Sequence, residues 1–136
     1  MTLTRSEIPG LVLLHRGKVR ETYAVDEERL LLVASDRLSA FDVVFDQPIP
    51  DKGRLLTALS AFWFRQLASL GPTHFLSTDL EDLPPEARGP ELAGRVTLAR
   101  RAQRIDAECV VRGRSEERRV GKECAGLCRS RWSPYH

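Results

Sequence analysis

Apolar residues follow two different periods along this chain, and the change of period marks its organisation. Residues 11–14 and 22–25 are short apolar or β-prone runs on either side of Gly17, which predicts two antiparallel strands joined across a glycine-containing turn. Glycine there tolerates a positive φ or a close backbone approach. A charged turn at residues 26–29 leads into the apolar run 30–34, a third strand of a meander. Residues 41–45 give a further short extended piece, closed by Asp46 and by Pro48 and Pro50, which exclude a central strand there. From residue 54 to 70 the period lengthens. Leu55, Leu56, Leu59, Phe62, Trp63, Leu67 and Leu70 recur at three and four, predicting an amphipathic helix whose Leu59, Phe62 and Trp63 are buried on a sheet. Asp51 suits the positive end of that helix, and Gly71-Pro72 supplies a stop. Residues 74–77 read as a short strand, 78–90 as a proline- and acid-rich loop, and 95–100 and 107–112 as two more strands linked by 101–106. The expected fold is α+β: a small antiparallel sheet with one long helix on one face.

Candidate chemistry concentrates where the third strand ends. Ser35-Asp36-Arg37-Leu38-Ser39-Ala40-Phe41-Asp42 places two carboxylates, two hydroxyls and a guanidinium in a loop that a sheet would hold. The hydroxyls can donate to phosphate or carboxylate oxygens, Arg37 can fork onto them, and the two Asp can bind a metal or an amine. A self-capping Asx/Ser turn has the same composition. Lys18 and Arg20 sit two apart beside Gly17, so on a strand they would share a face and clamp a polyphosphate; a solvated basic hairpin would look the same. Lys52, next to Gly53, is either a surface lysine or a contact to an anionic substrate. His74 lacks a metal-spaced partner and reads as structural.

Composition narrows the partners. The 136 residues are 42% hydrophobic and 29% charged, ordinary for one globular domain. No apolar run approaches the roughly 20 residues of a bilayer span, and residues 1–7 lack a secretory layout, so a cytoplasmic address is expected. The net charge of +2 belongs to the tail: acids and bases nearly balance over residues 1–113, while residues 114–136 carry an excess of cations. The body therefore gives no electrostatic case for nucleic acid. Cys109 sits in an apolar run and Cys124 and Cys128 in the tail, which implies no disulfide framework.

Four ordered motifs carry a resemblance. Arg16-Gly17-Lys18-Val19-Arg20-Glu21-Thr22-Tyr23, Ser35 to Asp42, Pro48-Ile49-Pro50-Asp51-Lys52-Gly53 and Glu108-Cys109-Val110-Val111-Arg112-Gly113 together resemble the N-terminal part of the phosphoribosylaminoimidazole-succinocarboxamide synthase (SAICAR synthetase) family. The resemblance implies an ATP- and Mg²⁺-dependent ligase of purine biosynthesis that joins L-aspartate to carboxyaminoimidazole ribonucleotide. It implies a small sheet lobe, like a protein-kinase N-lobe, over a larger ATP-grasp-like lobe that this chain lacks. Gly17, Lys18, Val19 and Arg20 would then cover the ATP phosphates, with Lys18 and Arg20 acting on the reacting phosphate. Gln103, Arg104 and Ile105 would line adenine; Ser35, Asp36, Arg37, Ser39, Asp42 and Lys52 would serve the substrate end; Arg112 would grip the ribonucleotide phosphate. The family's acidic metal-binding residues belong to the second lobe, so no metal ligand is assigned in this chain, which is expected to be inactive alone.

After Gly113 the periodicity stops. Residues 114–124 resemble, codon by codon in register, the translation of a DNA sequencing-library adapter, so residues 114–136 read as a non-native tail that docks nowhere, outside a lobe at residues 1–113. Two other readings are a non-catalytic nucleotide-binding module and a nucleic-acid binder driven by the basic tail, the latter marked by a steep salt dependence.

Overall fold

Strict alternation of inward and outward side chains builds the centre of the molecule. The computed structural model describes residues 2–103 and 105; the expected strand at 107–112, the tail at 114–136, and Arg104 and Arg112 lie outside the described residues. Strands β1 (Val12–Arg16), β2 (Arg20–Ala24) and β3 (Arg29–Ala34) form the expected antiparallel meander. Between β3 and the sixth strand come two short strands, β4 (Ser39–Ala40) and β5 (Val43–Val44), which pair with each other, and helix α1 (Lys52–Gln66). Strands β6 (Phe75–Ser77) and β7 (Val96–Arg100) complete a sheet of order β1-β2-β3-β7-β6. The α+β architecture is as expected.

One face of this sheet carries the core. Tyr23, Leu31, Val33, Val96 and Leu98 point to it at every second position and pack with Ile8, Leu83, Ala87 and Leu92. The segment read as a plain loop is therefore a lid. Three single turns of 3-10 helix at Leu80–Asp82, Pro85–Ala87 and Pro90–Leu92 drop Leu83, Ala87 and Leu92 onto the strands. Arg88 pins the lid by donating to the carbonyls of Leu83 and Glu81.

Helix α1 lies on the opposite face, where Leu32, Ala34 and Thr97 line a hollow of about 150 Å³ together with Thr57, Ser60 and Phe64 of the helix. The expected burial of Leu59, Phe62 and Trp63 is wrong: they are 50%, 50% and 52% exposed. The buried stripe is Gly53, Thr57 and Ala61. The reason is the closeness of approach. A Cβ on Gly53 would meet the Ala34 carbonyl oxygen at 2.4 Å, so only small residues fit where the helix starts on the sheet, and the large apolar residues are turned outward. Phe64 anchors the far end, stacked on Phe75 at 5.2 Å between ring centroids and meeting His74 edge-on at 5.1 Å.

Boundaries also shift. The helix begins at Lys52 and ends at Gln66, and residues Ala68–Leu70 form a separate 3-10 turn before Gly71. Asp51 adopts a positive φ of 59° and makes no side-chain cap; its carboxylate faces Arg54 at 3.4 Å and Arg95 at 3.5 Å instead. The extended piece expected at 41–45 is interrupted by the tight turn between β4 and β5.

Candidate functional site

The turn joining β1 to β2 is held from behind by the loop after β3. Gly17 N–H donates to the Arg20 carbonyl at 2.8 Å, closing the turn. Gly17 does not take the positive φ that the sequence leaves open; a Cβ there would crowd the Arg20 carbonyl oxygen at 3.1 Å. Ser35 is buried, and both its N–H (3.1 Å) and its hydroxyl (2.8 Å) donate to the Val19 carbonyl. Arg37 donates through Nε to the Lys18 carbonyl at 2.8 Å and through Nη2 to the Gly17 carbonyl at 3.0 Å. Its Nη1 reaches the Thr4 carbonyl and, at 3.0 Å, Glu21 Oε1.

Glu21 is the buried post under this turn, 1% exposed. It accepts hydrogen bonds from the Ser6 N–H (2.8 Å), the Ser6 hydroxyl, Arg16 Nε (3.0 Å) and Arg37. Burial pushes its carboxyl up, but the Ser6 hydrogen bonds and the hydrogen bond and charge of Arg37 outweigh that and hold it below the usual carboxylate range. Sequence reasoning missed Glu21, although alternation along β2 puts it on the same inward face as Tyr23. A carboxylate on a core-facing position is itself the signal.

Lys18 does not lie on β2, so strand alternation does not pair it with Arg20. Its ammonium reaches across to Asp42 Oδ1 at 2.5 Å, in a pair whose side chains are 51% and 91% exposed. Arg20, at the start of β2, lines the hollow beneath α1 with Ser60 and His74. Asp42 is brought to Lys18 by the turn of the β4–β5 hairpin, where Ala40 pairs with Val43 and Phe41 and Asp42 both take positive φ, 48° and 67°. Such a turn normally uses Asn or Gly, because left-handed backbone costs other residues about 1–2 kcal/mol. Phe41 at the tip is fully exposed, and Ser39, half-buried, pairs with Val44.

Asp36 ties three segments together. It is wholly buried; Oδ1 accepts from Gly53 N–H (2.9 Å) and Arg95 Nη1 (2.5 Å), and Oδ2 from Leu3 N–H (2.9 Å). Burial raises its carboxyl, yet hydrogen bonds from Arg95, Gly53 and Leu3, with the Arg95 charge, bring it below the usual range. Lys52, half-buried, donates to the Arg37 carbonyl at 3.0 Å. Thus Ser35, Asp36 and Arg37 face the protein, while Lys18, Arg20, Ser39, Asp42 and Lys52 retain access to solvent. Gln103 and Ile105 are exposed. Among the described residues no group of three or more His, Cys, Asp or Glu is placed to hold a metal ion, and no helix is long and apolar enough to cross a membrane.

Comparison with known proteins gives a consistent set of likenesses. The family model described as SAICAR synthetase matches residues 13–126. The phosphoribosylaminoimidazole-succinocarboxamide synthase of Trichlorobacter lovleyi is 48% identical over 111 residues, 80% of this chain and 37% of that protein. The same enzyme of Halorhodospira halophila is 49% identical over 111 residues, 82% of this chain and 38% of that one. The solved structure of SAICAR synthase from Saccharomyces cerevisiae, complexed with SAICAR, superposes with a TM-score of 0.67 at 39% identity, covering 74% of this chain and 37% of its own. The chain thus spans somewhat over a third of the length of these relatives.

Proposed function

We propose a function from one premise: the chain belongs to the SAICAR synthetase family. It supplies the phosphate-handling turn and the substrate loop of an ATP-dependent ligase that joins L-aspartate to carboxyaminoimidazole ribonucleotide, giving SAICAR, ADP and phosphate. A carboxylate is a poor electrophile. Transfer of the γ-phosphoryl group from ATP to the ribonucleotide carboxylate gives an acyl phosphate and ADP. The aspartate amine then attacks the acyl carbon, forming the C–N bond, losing a proton and expelling inorganic phosphate. Such chemistry depends on positioning and on cations opposite the charge that develops on the phosphoryl oxygens.

The observation that carries this reading is the Lys18–Asp42 pair. It joins the tips of the two motifs assigned to ATP and to substrate, Gly17–Arg20 and Ser35–Asp42, across 2.5 Å. Being exposed, the pair is worth no more than about 1 kcal/mol, so an incoming phosphate can take Lys18 from Asp42 at little cost. Lys18 and Arg20 would contact the phosphates; Ser39, Asp42 and Lys52 would face the substrate end; Gln103, Arg104 and Ile105 would lie against adenine, and Arg112 on the ribonucleotide phosphate. Among the described residues no group of three or more His, Cys, Asp or Glu is placed to hold Mg²⁺, and no step is assigned to the metal here. Soluble phosphorylated substrates fit a cytoplasmic address.

The test is a fusion of residues 1–113 to the part of the Trichlorobacter lovleyi relative that this chain does not match. The fusion is expected to form the succinocarboxamide product, and the 136-residue chain alone to form none. Lys18→Ala in the fusion should lower kcat/KM by about 10²-fold, on the order of 3 kcal/mol. Unchanged kcat/KM in Lys18→Ala would refute the role given to this turn. Nucleotide binding by a folded fusion that never turns over would favour a non-catalytic module.

A further inference from the structure

We infer that Arg37 is a positioning residue: it touches no ligand, and it turns the Lys18 and Val19 amides outward so that they receive an anion. The inference rests on the nucleotide reading above for the identity of that anion, the terminal phosphates of a nucleoside triphosphate. The geometry starts from the planar trans peptide, in which the N–H of each residue points opposite to the carbonyl of the residue before it. The Gly17 and Lys18 carbonyls both accept from the one Arg37 guanidinium, at 3.0 and 2.8 Å. The Lys18 and Val19 N–H groups therefore leave the turn on the side away from Arg37. Neither makes a hydrogen bond among the described residues. Two consecutive amides presented this way, with the Lys18 ammonium on the same residue, form an anion-binding concavity.

The guanidinium is itself fixed. Its side chain is 15% exposed, Nη1 is held by buried Glu21 and by the Thr4 carbonyl, and the Arg37 carbonyl accepts from Lys52. The Val19 carbonyl is taken from the same side by Ser35. A lysine at position 37 keeps the charge but has no planar fork to bridge two carbonyls. Arg37 acts through the backbone of residues 17 to 19, which separates it from the ligand-contact role that its place in the Ser35–Asp42 motif suggests.

The experiment is a titration of the isotope-labelled 136-residue chain with ATP and, separately, with inorganic tripolyphosphate, followed by backbone amide and arginine Nε–H signals. Both ligands are expected to shift the Lys18 and Val19 amides and to leave the Arg37 Nε–H in place. Arg37→Lys should weaken tripolyphosphate binding about tenfold or more and abolish the shifts at Lys18 and Val19, with the amide signals of β7 unchanged. If Arg37→Lys unfolds the chain, the wild-type titration decides. Ligand-induced movement of the Arg37 Nε–H, or shifts that spare Lys18 and Val19, would overturn the inference while leaving nucleotide binding intact. Shifts with tripolyphosphate but not with ATP would support the amide concavity and refute the nucleotide reading. No shift with either would overturn both.

Discussion

Replacing Asp36 by Asn tests the arrangement on which the candidate site stands. The change is nearly isosteric, so its cost reports the carboxylate's charge and acceptor capacity. In the folded chain that carboxylate accepts two backbone N–H groups at 2.9 Å and Arg95 Nη1 at 2.5 Å, and both side chains of the pair are fully buried. An amide has one acceptor oxygen for these donors, so at least one buried N–H loses its partner, at about 1–3 kcal/mol. Arg95 keeps its charge at a fully buried position, with Asp51 at 3.5 Å. Breaking a buried pair from one side costs about 3–5 kcal/mol in total, a large share of the roughly 5–15 kcal/mol that holds a domain together. With a urea slope of about 1–2 kcal/mol/M for a chain of this size, the midpoint of unfolding should fall by about 2 M or more. Asp36→Leu combined with Arg95→Met removes both charges but leaves the Leu3 and Gly53 N–H groups without their acceptor, so it should recover only the part of the loss due to the unpaired charge. The pH dependence has a fixed sign. Asp36 and Glu21 both have folded pKa values below their ordinary ones, so their contribution is complete above the unfolded value near 4 and is lost as pH falls through the folded values. The wild-type chain should therefore weaken below about pH 4, and Asp36→Asn should show a shallower acid limb. A loss under about 1 kcal/mol for Asp36→Asn at neutral pH would refute the reasoning.

Two further substitutions test the placement of α1, both by urea unfolding of the 136-residue chain. Gly53→Ala should destabilise by more than about 1 kcal/mol, although alanine in a helix is ordinarily favoured over glycine by about that amount, because its Cβ would stand 2.4 Å from the Ala34 oxygen and 2.9 Å from Arg95 Nη1. Trp63→Ala should cost under about 1 kcal/mol, whereas Leu31→Ala, at a position with no exposure, should cost about 2–5 kcal/mol; a Trp63→Ala loss in that range would show that its face is covered.

The parts of the fold written in short-range pattern were legible, and those set by distant partners were not. The apolar or β-prone runs at residues 22–25 and 30–34 suffice to mark β2 and β3, because short runs of this kind bounded by turn residues read as strands. The Ser35–Asp42 cluster was found because it follows a strand. What each member does was hidden, since the groups that consume Asp36 lie far along the chain, with Arg95 fifty-nine residues away. Arg95 itself stands just before β7, with no local mark beyond being a basic residue before an apolar run. The lid over the core escaped notice for a related reason. Leu83, Ala87 and Leu92 are spaced by single turns of 3-10 helix among prolines and acids, which matches neither the period of a strand nor that of an α-helix.

The helix shows why a hydrophobic stripe gives existence and span more reliably than orientation. Periodicity locates apolar residues on one side of α1, and the ordinary inference buries that side, since covering large side chains stabilises most. Here the side chosen for contact is fixed by a polar requirement instead. Asp36 must accept from the Gly53 N–H while holding Arg95, which draws the first turn of α1 down onto the end of β3. At that distance Leu55, Leu59 or Trp63 cannot be accommodated, and the stripe Gly53, Thr57 and Ala61, four residues apart, is the one face that can. Losing that buried acid–base contact would cost several kcal/mol at once, whereas each half-exposed apolar side chain turned outward forgoes only part of its own burial. The same contact fixes the start of the loop that carries Arg37 and the first turn of α1 that carries Lys52, so the choice of helix face and the geometry of the candidate site follow from one carboxylate.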